Sequence, residues 1–120
     1  MTDRELLELA AKTAGYELDW DVPPKSPPWV ITGSGEERGP THQFSPLEDD
    51  GDALRLAVKL GLSISAANPA FIEVAIFKDG EAHLLFRDGT MDSGWNEDPY
   101  AATRRAIVRA AAEIGKAKCE

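Results

Sequence analysis

The sequence predicts an α+β fold, with helices packed on a mostly antiparallel β-sheet in the order α-β-β-α-β-β-β-α, sandwich-like. Three observations predict it. A capping signal and an apolar helical face open the chain. Two alternating runs joined by Asp79-Gly80 read as a hairpin. An alanine-rich amphipathic segment closes the chain. The length of 120 residues suits one domain, spanning 1–120.

Thr2-Asp3-Arg4-Glu5 places a hydroxyl and a carboxylate three residues apart, the spacing at which each satisfies a free amide at a helix start. Leu6, Leu7, Leu9, Ala10 and Ala14 supply the apolar face, and Gly15 the left-handed stop. Tyr16, Leu18, Trp20 and Val22 then alternate with Glu17, Asp19 and Asp21, predicting a half-buried strand with an acidic outer side. Pro23-Pro24 ends it, Lys25 to Pro28 forms an extended connector, and Trp29-Val30-Ile31-Thr32 forms a second strand. Residues 33–45, with Gly33, Gly35, Gly39 and Pro40, read as a long loop.

Ser45-Pro46-Leu47-Glu48 repeats the helix-start grammar, with proline at the first helical position. Asp49-Asp50-Gly51-Asp52 is poor helix interior, so the expectation is a short turn and then a helix over Ala53–Leu60 ended by Gly61. Leu62–Ser65 alternates as a strand, and Ala66-Ala67-Asn68-Pro69 is a turn. Phe71–Lys78 and Glu81–Arg87 form the hairpin, because Asp-Gly accepts the positive φ that both turn positions require. A two-residue turn pairs Ile76 with His83, Val74 with Leu85 and Ile72 with Arg87 on one face. On the other it pairs Phe77 with Ala82, Ala75 with Leu84 and Glu73 with Phe86. Both faces are apolar enough to need cover. Beyond the 87–94 loop and Trp95, Asp98 caps the last helix and Pro99 opens it. Tyr100, Ile107, Ala111 and Ile114 fall on one stripe, opposite Arg105, Arg109 and Glu113.

The formal charge is −8, from 13 basic and 21 acidic residues, and it is unevenly placed. Residues 1–52 hold four basic residues (Arg4, Lys12, Lys25, Arg38) against twelve acids, whereas 53–120 are balanced. Such a chain disfavours direct nucleic-acid binding, which needs clustered Lys and Arg to neutralise phosphate. No apolar run reaches the ~18 residues needed to span a bilayer. The acidic N-terminus lacks the basic start of a signal peptide. A lone cysteine, Cys119, gives no disulfide framework. The expected setting is the cytoplasm, or the host cytoplasm for a phage-encoded chain.

Two helical segments carry a family likeness. One runs Pro46-Leu47-Glu48-Asp49-Asp50-Gly51-Asp52-Ala53-Leu54-Arg55-Leu56-Ala57-Val58-Lys59-Leu60. The other runs Tyr100-Ala101-Ala102-Thr103-Arg104-Arg105-Ala106-Ile107-Val108-Arg109-Ala110-Ala111-Ala112-Glu113-Ile114-Gly115. Together they resemble the small phage and prophage proteins with the "phage ABA sandwich" domain. The resemblance implies helices packed on a sheet and a phage or prophage origin. It implies no reaction.

Glu48-Asp49-Asp50-Gly51-Asp52 crowds oxygen ligands on a turn, so Asp49, Asp50 and Asp52 are the candidates for a Mg²⁺ or Ca²⁺ site. The spacing departs from the calcium-loop pattern, and capping of helix N-termini is the preferred role for these acids. His42 and His83 are the only histidines, and neither has a ligand at helical or hairpin spacing. Gly33-Ser34-Gly35 lacks the following lysine and helix of a phosphate cradle. Pro24-Lys25-Ser26-Pro27 is formally a P-x-x-P peptide but reads as a stiff connector. Arg104, Arg105 and Arg109 suit a solvated helix face, and Trp20, Trp29 and Trp95 suit core or rim packing.

No catalytic residue or cofactor emerges. The leading expectation is a non-enzymatic accessory or interaction protein whose acidic surface (Glu17, Asp19, Asp21, Glu48, Asp49, Asp50) meets a basic protein partner. The alternative is a small metal-assisted hydrolase or nucleotide-binding enzyme using Asp49, Asp50 and Asp52 with His42. A homo-oligomer built on a sheet edge or an apolar helix face is the third possibility.

Overall fold

The computed structural model describes residues 2–24, 26–65, 71–78, 81–89 and 99–119. Its elements are α1 (Asp3–Ala14), β1 (Glu17–Asp19), β2 (Trp29–Thr32), β3 (Gly39–Gln43), α2 (Asp50–Leu60), β4 (Leu62–Ser65), β5 (Phe71–Lys78), β6 (Glu81–Gly89) and α3 (Pro99–Cys119). The fold is α+β. The strands form two three-stranded antiparallel sheets, β1-β2-β3 and β4-β5-β6.

The helix boundaries follow local chemistry. The Thr2 hydroxyl accepts from the Glu5 amide at 3.1 Å, and Gly15 ends α1 at φ 82°. The capping box is altered, because the Glu5 carboxylate accepts from the Thr2 hydroxyl. Residues 45–49 form a turn closed by the Asp49 amide donating to the Ser45 carbonyl at 2.8 Å. The second helix then begins at Asp50, three residues earlier than the sequence suggests. Asp49 is its cap, accepting from the Asp52 amide at 2.8 Å. A side-chain acceptor at the right place outweighs the weak helical propensity of Asp-Gly-Asp.

Residues 33–45 are more ordered than a loop. A 3-10 turn over Gly35–Glu37 leads into β3, which pairs antiparallel with β2 and sets His42 opposite Val30. Its edge position tolerates Pro40, which has no amide to donate. The first strand is shorter than its alternation implies. The Asp21 amide donates back to Asp19 Oδ1 at 2.8 Å, folding the chain into bends after Asp19. The proline connector is tied down, with Trp29 Nε1 donating to the Pro24 carbonyl and Gln43 Nε2 to the Pro27 carbonyl, each at 3.1 Å. Lys25 lies outside the described residues.

In the hairpin, Ile76 faces His83, Ala75 faces Leu84 and Phe77 faces Ala82, as the two-residue turn requires. A bulge between Val74 and Ala75 then shifts the register by one, so Val74 faces Phe86, Glu73 faces Arg87 and Ile72 faces Asp88. One extra residue on β6 breaks the expected Val74–Leu85, Glu73–Phe86 and Ile72–Arg87 pairs. The expected turns at 66–69 and 79–80, the loop from residue 90, Trp95 and the Asp98 cap lie outside the described residues.

The core joins the three α-helices among the described residues. Leu6, Leu7, Ala10 and Ala14 of α1 pack with Leu56 of α2 and Ile107, Val108 and Ala111 of α3. Val30 of β2 and the adjoining Phe44 close it from the first sheet. The opposite side of α3 presents Ala106 and Ala110 to Val74 of β5. The alanines therefore serve two faces, letting α3 lie close to α1 and to the second sheet. Tyr100 departs from the expected buried stripe, being 68% exposed in the first turn of α3.

Candidate functional site

The acidic turn is occupied by its own fold. The Asp49 side chain caps α2 and lies 3.7 Å from Arg55 Nη2. Asp52 is the least exposed of the group: Oδ2 accepts from the Ser45 amide at 2.8 Å and Oδ1 from Arg55 at 2.5 Å. That contact raises the Arg55 pKa. Asp50 reaches across to α3 and pairs with Arg104 Nη1 at 2.6 Å, while Arg104 Nε donates to the Leu47 carbonyl at 2.9 Å. Glu48 is exposed. Of the predicted metal ligands, none shares a site with two others: among the described residues no three His, Cys, Asp or Glu side chains converge.

Asp52 does share a cavity of about 400 Å³ with His42. Tyr16, Phe44 and Leu56 give it apolar walls, and Gln43 and Arg55 add polar ones. Tyr16 and Phe44 meet edge to face at 5.7 Å, and Lys59 Nζ lies 4.6 Å from the Tyr16 ring. His42 is exposed on β3, with Nδ1 3.2 Å from the Thr41 hydroxyl. Asp49 and Asp50 do not line this cavity. The side chains of His83 and Cys119 lie outside the described residues.

The first sheet carries a different charge pattern. Glu17 and Asp21 are exposed and Asp19 is half-buried. The turn between β2 and β3 adds Glu36 and Glu37, both exposed, to the acids of this sheet. Arg38 is the one basic residue among the described part of 16–43, and it pairs with Glu17 at 2.5 Å. Its hydrogen bond and positive charge hold the Glu17 carboxyl below the usual range. The signal that would have added Glu36 and Glu37 is a hairpin between β2 and β3, which brings the tip beside the start of β1.

Other expected surface residues have partners. Arg105, placed on the solvated side of the last helix, pairs with Asp3 of α1 at 2.8 Å. Arg109 and Glu113 are exposed. Trp20 packs against the core with Arg4 4.5 Å from its ring, and Trp29 is half-buried. No helix among the described residues is long and apolar enough to cross a membrane. No protein-family model, curated protein or solved structure matches the chain.

Proposed function

We propose that this chain is a non-enzymatic interaction protein, an accessory protein of phage or prophage origin, that recognises a basic protein partner through the acidic first sheet. The observation that supports this reading is the division of labour among the acids. Asp49, Asp50 and Asp52 are matched by Arg55 and Arg104. The described part of 16–43 instead sets Glu17, Asp19, Asp21, Glu36 and Glu37 against Arg38 alone. An uncompensated acidic surface repels nucleic acid and steers basic proteins toward itself. The working surface is thus narrower than the sequence suggested. It loses much of the Glu48–Asp50 turn and gains the β2–β3 tip.

The test is capture from host lysate by immobilised protein, compared with a variant carrying Asp19→Asn, Asp21→Asn, Glu36→Gln and Glu37→Gln. A basic partner held by the parent, released by salt and absent from the variant is the expected result. No partner, or one retained by the neutralised variant, overturns the reading. The metal-assisted alternative has one supporting feature, the cavity shared by His42 and Asp52. Both Asp52 oxygens are already engaged there.

A further inference from the structure

The cavity of about 400 Å³ between β3 and α2 falls in the size range that holds a small molecule. Its inner wall is apolar. Phe44 and Leu56 are buried, Tyr16 is half-buried, and Tyr16 and Phe44 meet edge to face. His42 and Arg55 are exposed and stand at its rim. A ligand ring set against these two rings gains aromatic contact as well as burial.

The polar groups select the other end of the ligand. Asp52 is the one carboxylate in the lining, and both its oxygens are engaged, by the Ser45 amide and by Arg55. Arg55 is only partly used. Its contacts with Asp52 and Asp49 both run through Nη2. Among the described residues, neither its Nε nor its Nη1 has a hydrogen-bond or ion-pair partner. A guanidinium donates from every nitrogen, so the unspent capacity at the rim favours an acceptor over a cation. Lys59 Nζ, 4.6 Å from the Tyr16 ring, adds a second cation beside the same wall. Asp49 and Asp52 balance Arg55 and Lys59 in charge, so a dianion meets two carboxylates with no cation left over. We propose that this cavity binds a small aromatic monocarboxylate, its ring against Tyr16, Phe44 and Leu56 and its carboxylate on Arg55. The sign of the metal-assisted reading is thereby reversed: the ligand is an anion, and Asp52 orients the guanidinium that holds it. The lining includes none of Glu17, Asp19, Asp21, Glu36 and Glu37, so this site stands or falls apart from the acidic surface.

An NMR titration of the full chain with phenylacetate tests it. Saturable shifts are expected at Gln43, Phe44, Arg55 and Leu56. Phenethyl alcohol keeps the ring and lacks the charge, and is expected to bind roughly tenfold more weakly, as loss of one charge-assisted hydrogen bond implies. Acetate and inorganic phosphate at the same concentration are expected to give no saturable shift. Arg55→Gln weakens phenylacetate binding by roughly tenfold and brings the acid level with the alcohol. The Arg55 side chain is 68% exposed, so melting of that variant stays close to the parent's. His42→Ala leaves the Asp52–Arg55 pair intact and weakens both ring probes alike. No saturable shift with phenylacetate, or shifts centred on other residues, overturns the proposal. So does an alcohol that binds as well as the acid, a phosphate that competes for the site, or an Arg55→Gln variant that binds phenylacetate as the parent does.

Discussion

Gly115 of α3 faces Thr13 of α1 so closely that a Cβ at position 115 would stand 2.5 Å from the Thr13 hydroxyl and 2.6 Å from the Leu9 carbonyl oxygen. The same hydroxyl lies 2.9 Å from the Leu9 carbonyl oxygen and 2.8 Å from that of Ala111. A buried threonine thus sits where the two helices cross, and the crossing depends on a missing methyl. Gly115→Ala must push backbone aside, since a helix carbonyl has no rotamer to yield. The expected loss is about 1–3 kcal/mol of stability. Thermal and urea unfolding check it, with Gly39→Ala as the control because open space surrounds that position.

Asp49 holds the start of α2 through the Asp52 amide. Asp49→Ala is expected to cost about 1 kcal/mol, whereas Asp49→Ser keeps an acceptor and most of the stability. Urea unfolding midpoints of the three proteins order as parent, serine, alanine. Equal midpoints for serine and alanine variants would show that the cap bond contributes nothing.

This same residue shows what the sequence can and cannot reveal. The capping role of the Glu48–Asp52 acids is local, because the Asp49 acceptor and Asp52 amide are three residues apart. Gly15 and Gly61 likewise announce helix ends from their neighbours alone. The Asp50–Arg104 and Asp3–Arg105 pairs are different. Their partners lie 54 and 102 residues apart and meet only because α3 packs on α1 and the turn before α2. The third strand is hidden for another reason. Gly39 to Gln43 is exposed at its three central positions, so no apolar alternation marks it. The bulge at Val74/Ala75 adds one residue to β6 without a glycine or other local signal, so the outer hairpin pairs shift unseen.

Glu17 and Arg38 connect β1 to the residue before β3, and the guanidinium lowers the Glu17 pKa by hydrogen bonding and by charge. A carboxyl whose folded pKa is depressed contributes stability above its unfolded pKa and loses it as pH falls through the folded value. The window therefore lies on the acid side of the ordinary glutamate range. Both groups are solvent-exposed, so the stability effect is small and the titration itself is the better readout. Arg38→Gln is expected to move the Glu17 midpoint upward in a carboxyl-carbon NMR titration. An unmoved midpoint would remove Arg38 as the cause.

Asp49 and Asp52 spend their carboxylates on amides and on Arg55. A divalent cation would have to displace those contacts, including the cap of α2. Millimolar Mg²⁺, Mn²⁺ or Ca²⁺ is therefore expected to leave the melting temperature unchanged. A cation that binds the folded chain would raise it with concentration by mass action. Such a rise, lost in Asp52→Asn, would restore the metal-assisted reading.

Arg104 ties α3 to the turn before α2 with a planar fork: Nε donates to the Leu47 carbonyl and Nη1 to Asp50. The side chain is 16% exposed, whereas Asp50 is 70% exposed. The carbonyl bond therefore matters more than the ion pair, which water screens. Arg104→Ala is expected to cost about 1.5–3 kcal/mol, the usual range for a hydrogen bond to a charged group. Arg104→Lys recovers little of it, because an ammonium cannot hold two acceptors in the fork geometry. Asp50→Asn leaves the carbonyl bond intact and should cost far less. Urea unfolding of the three variants separates the terms, and an Asp50→Asn loss as large as that of Arg104→Ala would reverse their order.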